Sequence, residues 1–413
     1  MKQEVQVEIL KELMEQVDSG KNIDSGVQYR MPTSAYCCPD IAAKEWDIFF
    51  QNHPQFIGLS NDLPEPGSFL TIDDFGTPVL ATRDNNGQFH AFLNACRHRG
   101  VRVSQEERGR KNIFTCPFHA WSYSNAGALV AIPDEDHFGP IDKTCNGLIE
   151  LPAVERDGLL WVHPQPGGEL DIDELLGTPL SEELASYHLG DLVHGGSKTI
   201  TMNLNWKLAN DTFGETYHFG KLHRNTLAKI YPGNNLHLKE FGRNHRFVTA
   251  SPAMSQFRGM PESEWDIHVG AAFVLYYLFP NITLIVGNGT CTIVKMYPDP
   301  DNAGRSTSQI FAYYSQATID AAEAAKAEGS LGEVSSDTVY DSEKRGVATL
   351  EGTMEVFTST VENEDYLMGE LQQKSAENGL LEHVIFGRNE PPLHHFHKTF
   401  REVLGLSPLE KIE

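Results

Sequence analysis

The sequence predicts an α+β protein of two domains, a small all-β one followed by a larger antiparallel sheet that carries helices. Three observations lead there. The chain has 413 residues, more than one ordinary core holds. Short strand-like runs broken by Gly, Pro and Asn crowd the region from about Pro32 to Pro164. From about Thr199 the runs lengthen, and helical composition takes over in the last third.

Val7, Leu10, Leu13, Met14 and Val17 form one stripe on an N-terminal helix. The charges between them exclude the apolar core of a signal peptide. Residues 1–40 are therefore expected to be a helical segment packing on the larger domain. The stretch FLTIDDFGTPVLATRDNNGQFHAFLNA reads as strands, with a hairpin signal at Asn85–Gly87, and places the β domain over 41–165. HPQPGGELDIDELLGTPL joins turn residues to an acidic, helical patch and marks a boundary. In the larger domain, 166–413, FVLYYLFPNITLIVG and CTIVKMYP read as long buried strands. AAEAAKAEGSLGE reads as an exposed helix with a loop after it, and Ser342–Gln373 as helical with an acidic stretch.

Composition narrows the function. At 40% apolar and 22% charged, with no membrane-span tract, the chain reads as cytoplasmic. A formal charge of −24 argues against nucleic acid and anionic membranes as partners. Six cysteines in this length do not make a disulfide framework, and a Cys beside a His in a reducing compartment suggests metal. Cys37, Cys38, Cys145 and Cys291 have no His at useful spacing and are expected to be core or incidental thiols.

The other two cysteines are paired with histidines, in Cys96-Arg97-His98 and Cys116-Pro117-Phe118-His119, with seventeen residues between the pairs. Zinc fingers place both Cys in one knuckle and both His in another. Here each loop offers one of each. That suits a [2Fe–2S] cluster whose one iron takes both thiolates and the other both imidazoles, an arrangement that raises its potential above that of an all-Cys cluster. A Cys2His2 zinc site in a β-ribbon is the competing reading.

Downstream lies N-W-K-L-A-N-D-T-F-G-E-T-Y-H-F-G-K-L-H, from Asn205 to His223. His218 and His223 are five apart, out of line on a regular helix, and Gly220 between them suggests a break or π-bulge. Two imidazoles and a carboxylate with open positions form the facial triad of non-haem Fe(II) oxygenases. Glu362, Glu364, Asp365 and Glu370 are the carboxylate candidates, and an acidic helix start explains their clustering equally well.

C-x-H-x17-C-x2-H followed by N-W-K and Glu-x-Tyr-His-x4-His resembles the α subunits of Rieske non-haem iron ring-hydroxylating oxygenases, over most of the chain. The resemblance implies a Rieske [2Fe–2S] domain held by Cys96, His98, Cys116 and His119, and a helix-grip catalytic domain with iron at His218, His223 and Asp365. It implies dioxygen as co-substrate and electrons from a ferredoxin or flavin reductase, with NAD(P)H acting only through the reductase. It implies a head-to-tail homotrimer, with or without β subunits, in which Glu215 links to the next subunit's His119 and Tyr217 packs in the same bridge. The reaction implied is di- or mono-oxygenation of an aromatic or other small organic substrate, with N- or O-demethylation, betaine-like substrates included, as the alternative.

Two positions depart from the pattern. Ala120 stands where the family commonly has Gly, which requires negative φ there. Asn210-Asp211 stands where Glu-Asn is common, placing Asp211 near the iron. The basic run Arg97, Arg99, Arg102, Arg108, Arg110 and Lys111 is a candidate docking patch for an acidic electron donor. Phe241–Pro298 is expected to supply the substrate pocket, with Phe273, Leu275, Tyr276, Leu278, Leu284 and Val286 divided between core and wall. Arg243, Arg246 and Arg258 are candidates for binding a substrate carboxylate.

Overall fold

The computed structural model describes residues 1–331, 339–340 and 348–412. The chain divides into two compact units. One comprises residues 45–175 and 188–191, the other 1–44, 176–187 and 192–413. Residues 332–333 of the Ala-rich segment and 342–347 of the expected late helical region lie outside the described residues.

The smaller unit is built from antiparallel strands. Its five-stranded sheet runs Glu150–Leu151, Phe89–Leu93, Val79–Arg83, Ser68–Ile72, Arg108–Arg110. The Asn85–Gly87 signal forms the turn between Val79–Arg83 and Phe89–Leu93, with Gly87 at φ +81°. A three-stranded sheet, Ile113–Thr115, Ser122–Ser124 and Leu129–Ala131, closes a hairpin at the pair Thr115 and Ser122. The core between these sheets gathers Phe69, Leu80, Phe92, Phe114, Trp121 and Tyr123 around Cys96 and Cys116.

The larger unit is organised by a seven-stranded antiparallel sheet. Six strands, from His237–Phe241 through Asn302–Tyr314, follow one another as a meander, and Val193–Met202 pairs with the last. Alternation along a strand sends neighbours to opposite faces. Arg246 is buried and paired with Glu183, while Phe247 lines a cavity. The N-terminal helix, Gln3–Ser19, buries Ile9, Leu10, Leu13 and Met14 and packs on strands His237–Phe241 and Asn244–Ala250. Gly20 ends it at φ +65° with its N–H on the Val17 carbonyl. Helices Leu350–Thr360 and Tyr366–Glu377 are joined by a π-turn, Val361–Asp365, buried at both ends. Among the described residues no helix is long and apolar enough to cross a membrane.

Candidate metal centres

The first centre consists of two loops with the same backbone bonding. In one, the Cys96 N–H donates to the Val101 carbonyl and the Gly100 N–H to the Cys96 carbonyl, both at 2.8 Å. In the other, the Cys116 N–H donates to Trp121 at 2.8 Å and the Ala120 N–H to Cys116 at 2.9 Å. Each loop turns its cysteine inward, where Cys96 and Cys116 are buried, and leaves its histidine half-buried. The His98 and His119 rings meet edge to face with centroids 4.5 Å apart, and His98 stacks on Trp121 at 5.2 Å.

The fifth position of each loop is left-handed. Gly100 has φ +75° and Ala120 has φ +55°, so the negative φ expected for Ala120 is corrected. The loop's closing hydrogen bond dictates the conformation, and the methyl group is accommodated at a cost of about 1 kcal/mol because it faces solvent.

These residues fit a Rieske cluster. His98 Nδ1 is buried without a hydrogen-bond partner. Burial raises the Cys116 thiol, against the backbone N–H groups of Phe118 and His119 that hydrogen-bond its sulfur. Those donors favour a thiolate held by metal. The Tyr123 hydroxyl lies 3.3 Å from Cys96 Sγ and accepts from the Arg97 N–H at 2.9 Å.

At the second centre, Thr216 to Thr226 form a run of tight turns rather than a regular helix. The Leu222 and His223 N–H groups reach back to the carbonyls of His218 and Phe219 at 2.8 and 3.1 Å. The run is pinned where Gly233, at φ +71°, passes so close to the Thr216 carbonyl that a Cβ would lie 2.2 Å from its oxygen. Gly220 makes no bulge; the wide turn belongs to the carboxylate segment instead. The turns point both imidazoles at one place. His218 Nε2 and His223 Nε2 are 3.2 Å apart, and Asp365 Oδ1 lies 3.4 and 3.1 Å from them.

Each imidazole is held from behind by a carboxylate. Glu215 hydrogen-bonds His218 Nδ1 and accepts the His218 backbone N–H at 3.1 Å. Glu364 takes His223 Nδ1 at 2.7 Å and the Thr226 hydroxyl at 2.9 Å. With both Nδ1 protons donated outward, two imidazole lone pairs and a carboxylate converge, and only a cation or protons can satisfy them. Burial opposes protonation, yet hydrogen bonds to Asp365 and Glu215 raise His218 to about 10. His223 is also raised against burial, by Asp365 above all. Asp365 is lowered, its burial outweighed by the hydrogen bonds from the two histidines. The donor set and its outer carboxylates fit a divalent iron.

The structure gives each of the four candidate carboxylates a separate role. Glu362 pairs with Lys198 at 2.8 Å, Glu364 orients His223, Asp365 faces the imidazoles, and Glu370 accepts the Asn203 N–H at 2.9 Å. Glu364 as an orienting group was absent from the sequence expectations; only the π-turn lets adjacent residues address two sides of one histidine. Asp211 accepts from the Tyr36 hydroxyl at 2.7 Å and bonds His397 Nε2 at 2.8 Å.

His218, His223 and Asp365 open on a cavity of about 400 Å³. Phe273, Leu275 and Val286 line it as expected, whereas Tyr276, Leu278 and Leu284 do not. Further walls come from Phe213, Phe219 and Tyr231 near the histidines and from Met354 and Phe357, whose three-residue spacing puts them on one helix face. None of the three candidate arginines lines the cavity. Arg246 pairs with Glu183 on the other face of the sheet, Arg258 with Asp18, and Arg243 lies over the Phe279 ring. The basic run is also mostly neutralised: Arg102, Arg108, Arg110 and Lys111 pair with Asp73, Asp62, Glu65 and Glu106. Arg97 and Arg99, flanking His98, have no carboxylate partner among the described residues.

Residues 189–406, more than half of the chain, match the family model of the ring hydroxylating alpha subunit catalytic domain. The chain belongs to that family. Residues 53–151 of this α subunit match the Rieske [2Fe-2S] domain, so a Rieske cluster and a mononuclear non-haem iron are the cofactors its two parts are built for. The α subunit is 30% identical over 204 residues to the glycine betaine monooxygenase oxygenase subunit of Chromohalobacter salexigens, covering 49% of this chain and 45% of that one. It is 27% identical over 207 residues to the anthranilate 1,2-dioxygenase large subunit of Acinetobacter baylyi, covering 49% and 44%. The chain spans about half the length of the curated relatives it matches. The fold is that of the solved quaternary ammonium Rieske monooxygenase CntA, with a TM-score of 0.72 at 18% identity over 92% of this chain and 96% of that one.

Proposed function

We propose that this α subunit is the terminal oxygenase of a Rieske-type system, using dioxygen and two electrons from a ferredoxin or reductase to oxygenate a small organic substrate. The observation that carries the reading is the meeting of two imidazoles and one carboxylate at the wall of a largely apolar cavity. In this reading His218, His223 and Asp365 hold Fe(II), and Cys96, His98, Cys116 and His119 hold the cluster. When bound, the cluster supplies electrons one at a time and the ferrous ion supplies the site of dioxygen activation. Glu215 and Glu364 keep the Nδ1 protons, fixing the tautomer and aim of each ring. The aromatic walls orient the substrate and exclude water. Asp211 fixes Tyr36 and His397 close to the turn that carries Glu215.

The same reading makes the functional assembly a trimer in which Glu215 joins His119 of the partner subunit. The exposure of Tyr217 at 70% and Phe118 at 54%, both unusual for aromatic side chains, supports coverage of those surfaces by another copy. Arg97 and Arg99 are the cationic part of the donor-docking patch. Domain limits of 41–165 for the cluster domain and 166–413 for the catalytic one accompany this reading. A second reading, N- or O-demethylation, is favoured by the likeness to a betaine monooxygenase and uses the same residues. Labelled dioxygen across methoxyarenes, betaines and unsubstituted arenes tests both, since demethylation releases formaldehyde and dioxygenation leaves both labelled atoms in the product. Anaerobically purified protein lacking acid-labile sulfide and iron would sink the proposal.

A further inference from the structure

Most polar side chains around the cavity are already satisfied. Thr212, Tyr231, Tyr314, Thr353 and Thr360 each donate to a backbone carbonyl. Asn288, Thr290 and Thr292 are partly or fully exposed and reach water. His268 is different. Both its ring nitrogens are buried without a hydrogen-bond partner, and the residue lines the cavity. A buried polar atom left unpaired is costly, and an imidazole with two such atoms calls for an explanation.

The position of His268 is fixed from several sides. The Ile267 N–H donates to Gln6 Oε1 and the His268 N–H to Asp266 Oδ1, both at 2.9 Å. The ring sits edge to face on Tyr187 at 5.2 Å, and the Tyr187 hydroxyl is engaged with Tyr276. Asp266, Glu183 and the amino terminus act on the ring through their charge, yet none hydrogen-bonds its nitrogens. Burial lowers its pKa to about 4, so it presents one N–H donor and one bare acceptor. Among the described lining residues there is no Lys or Arg to balance an anion, and the acidic groups, Glu215 and Asp365, are committed to the iron triad.

We infer that His268 is a substrate-binding residue, and that the substrate is a mostly apolar molecule carrying one uncharged hydrogen-bonding group, a hydroxyl, amide or carbonyl, which His268 receives. This rests on the cavity being the substrate site of the proposed oxygenase. It separates this α subunit from enzymes whose substrates are recognised through a formal charge.

The test is equilibrium binding to the purified holoprotein by calorimetry with three probes of matched size: 2-naphthol, 2-methylnaphthalene and 2-naphthoate. The expected result is that the ratio of naphthol to methylnaphthalene affinity falls on the order of tenfold in His268→Leu and is largely kept in His268→Gln. Naphthoate is expected to bind weakest to the unaltered protein. An unchanged ratio in His268→Leu, with iron content intact, overturns the role of His268, as does tightest binding of naphthoate. If no probe binds the unaltered protein, or if Phe273→Trp leaves all three affinities unchanged, the cavity does not take such a substrate and this inference falls. The proposed oxygenase function stands or falls separately, on the protein's iron and acid-labile sulfide.

Discussion

The two proposed metal centres are held in opposite ways. The cluster loops are local: each is closed by hydrogen bonds spanning five residues or fewer, and the second is the tip of a hairpin. The proposed iron triad is non-local, joining His223 to a carboxylate 142 residues further along the chain. The cluster loops lean on backbone donors and a buried core, the triad on a ring of outer carboxylates. Damage to the triad should therefore leave the cluster intact, while small backbone changes should matter more at the cluster than at the iron.

The largest effect is expected from His218→Ala or Asp365→Ala. Either removes a ligand, and turnover should drop about a thousandfold or more, given the several kcal/mol a metal contributes to such a reaction. Iron content should fall by about a third with sulfide and the reduced cluster's resonance unchanged; loss of the resonance would contradict the separation of the two centres. Next comes Glu364→Gln, which leaves the ligands in place but frees His223 to turn. A 10- to 100-fold loss of iron affinity or activity, about the size seen for outer partners of metal ligands, should be visible in Fe(II) titration. Charge also enters here. In metal-free protein His218, raised to about 10, holds a proton at neutral pH, and His223 is shifted in the same direction, so Fe(II) uptake should release protons and weaken as pH falls. The buffer dependence of the binding enthalpy measures this, and uptake without proton release would contradict it.

At the cluster, Tyr123→Phe removes the hydroxyl beside Cys96 Sγ and should lower the reduction potential, because hydrogen bonds to cluster sulfur favour the reduced state. Protein-film voltammetry reads that shift. The smallest effect is the sharpest test of the loop likeness. Ala120→Gly should stabilise the holoprotein by about 1 kcal/mol, and Gly100→Ala should destabilise it by a similar amount. Denaturation midpoints moving in the same direction would show the loops to be unlike.

The same contrast explains what could be read from the sequence. Cys96, His98, Cys116 and His119 form a spaced motif because the loops are local, and His218 and His223 were legible for the same reason. The carboxylate was not separable by pattern, since Glu362, Glu364, Asp365 and Glu370 differ only in where a π-turn aims them. Phe273 and Leu275 could be named as wall candidates, but strand alternation does not say which face looks onto the iron. The three arginines were misplaced because a pairing such as Arg246 with Glu183 joins residues 63 apart. The left-handed Ala120 reflects a closing hydrogen bond that overrides the residue's own preference.

The 142-residue reach from His223 to Asp365 also bears on biosynthesis. Both cysteine loops lie in a unit whose last residues are 188–191, ahead of His218, His223 and Asp365. The proposed iron site lacks its third ligand until Asp365 has emerged. A chain truncated before Asp365 would therefore contain the whole unit that carries the cysteine loops and still lack one of the three residues proposed to hold the iron.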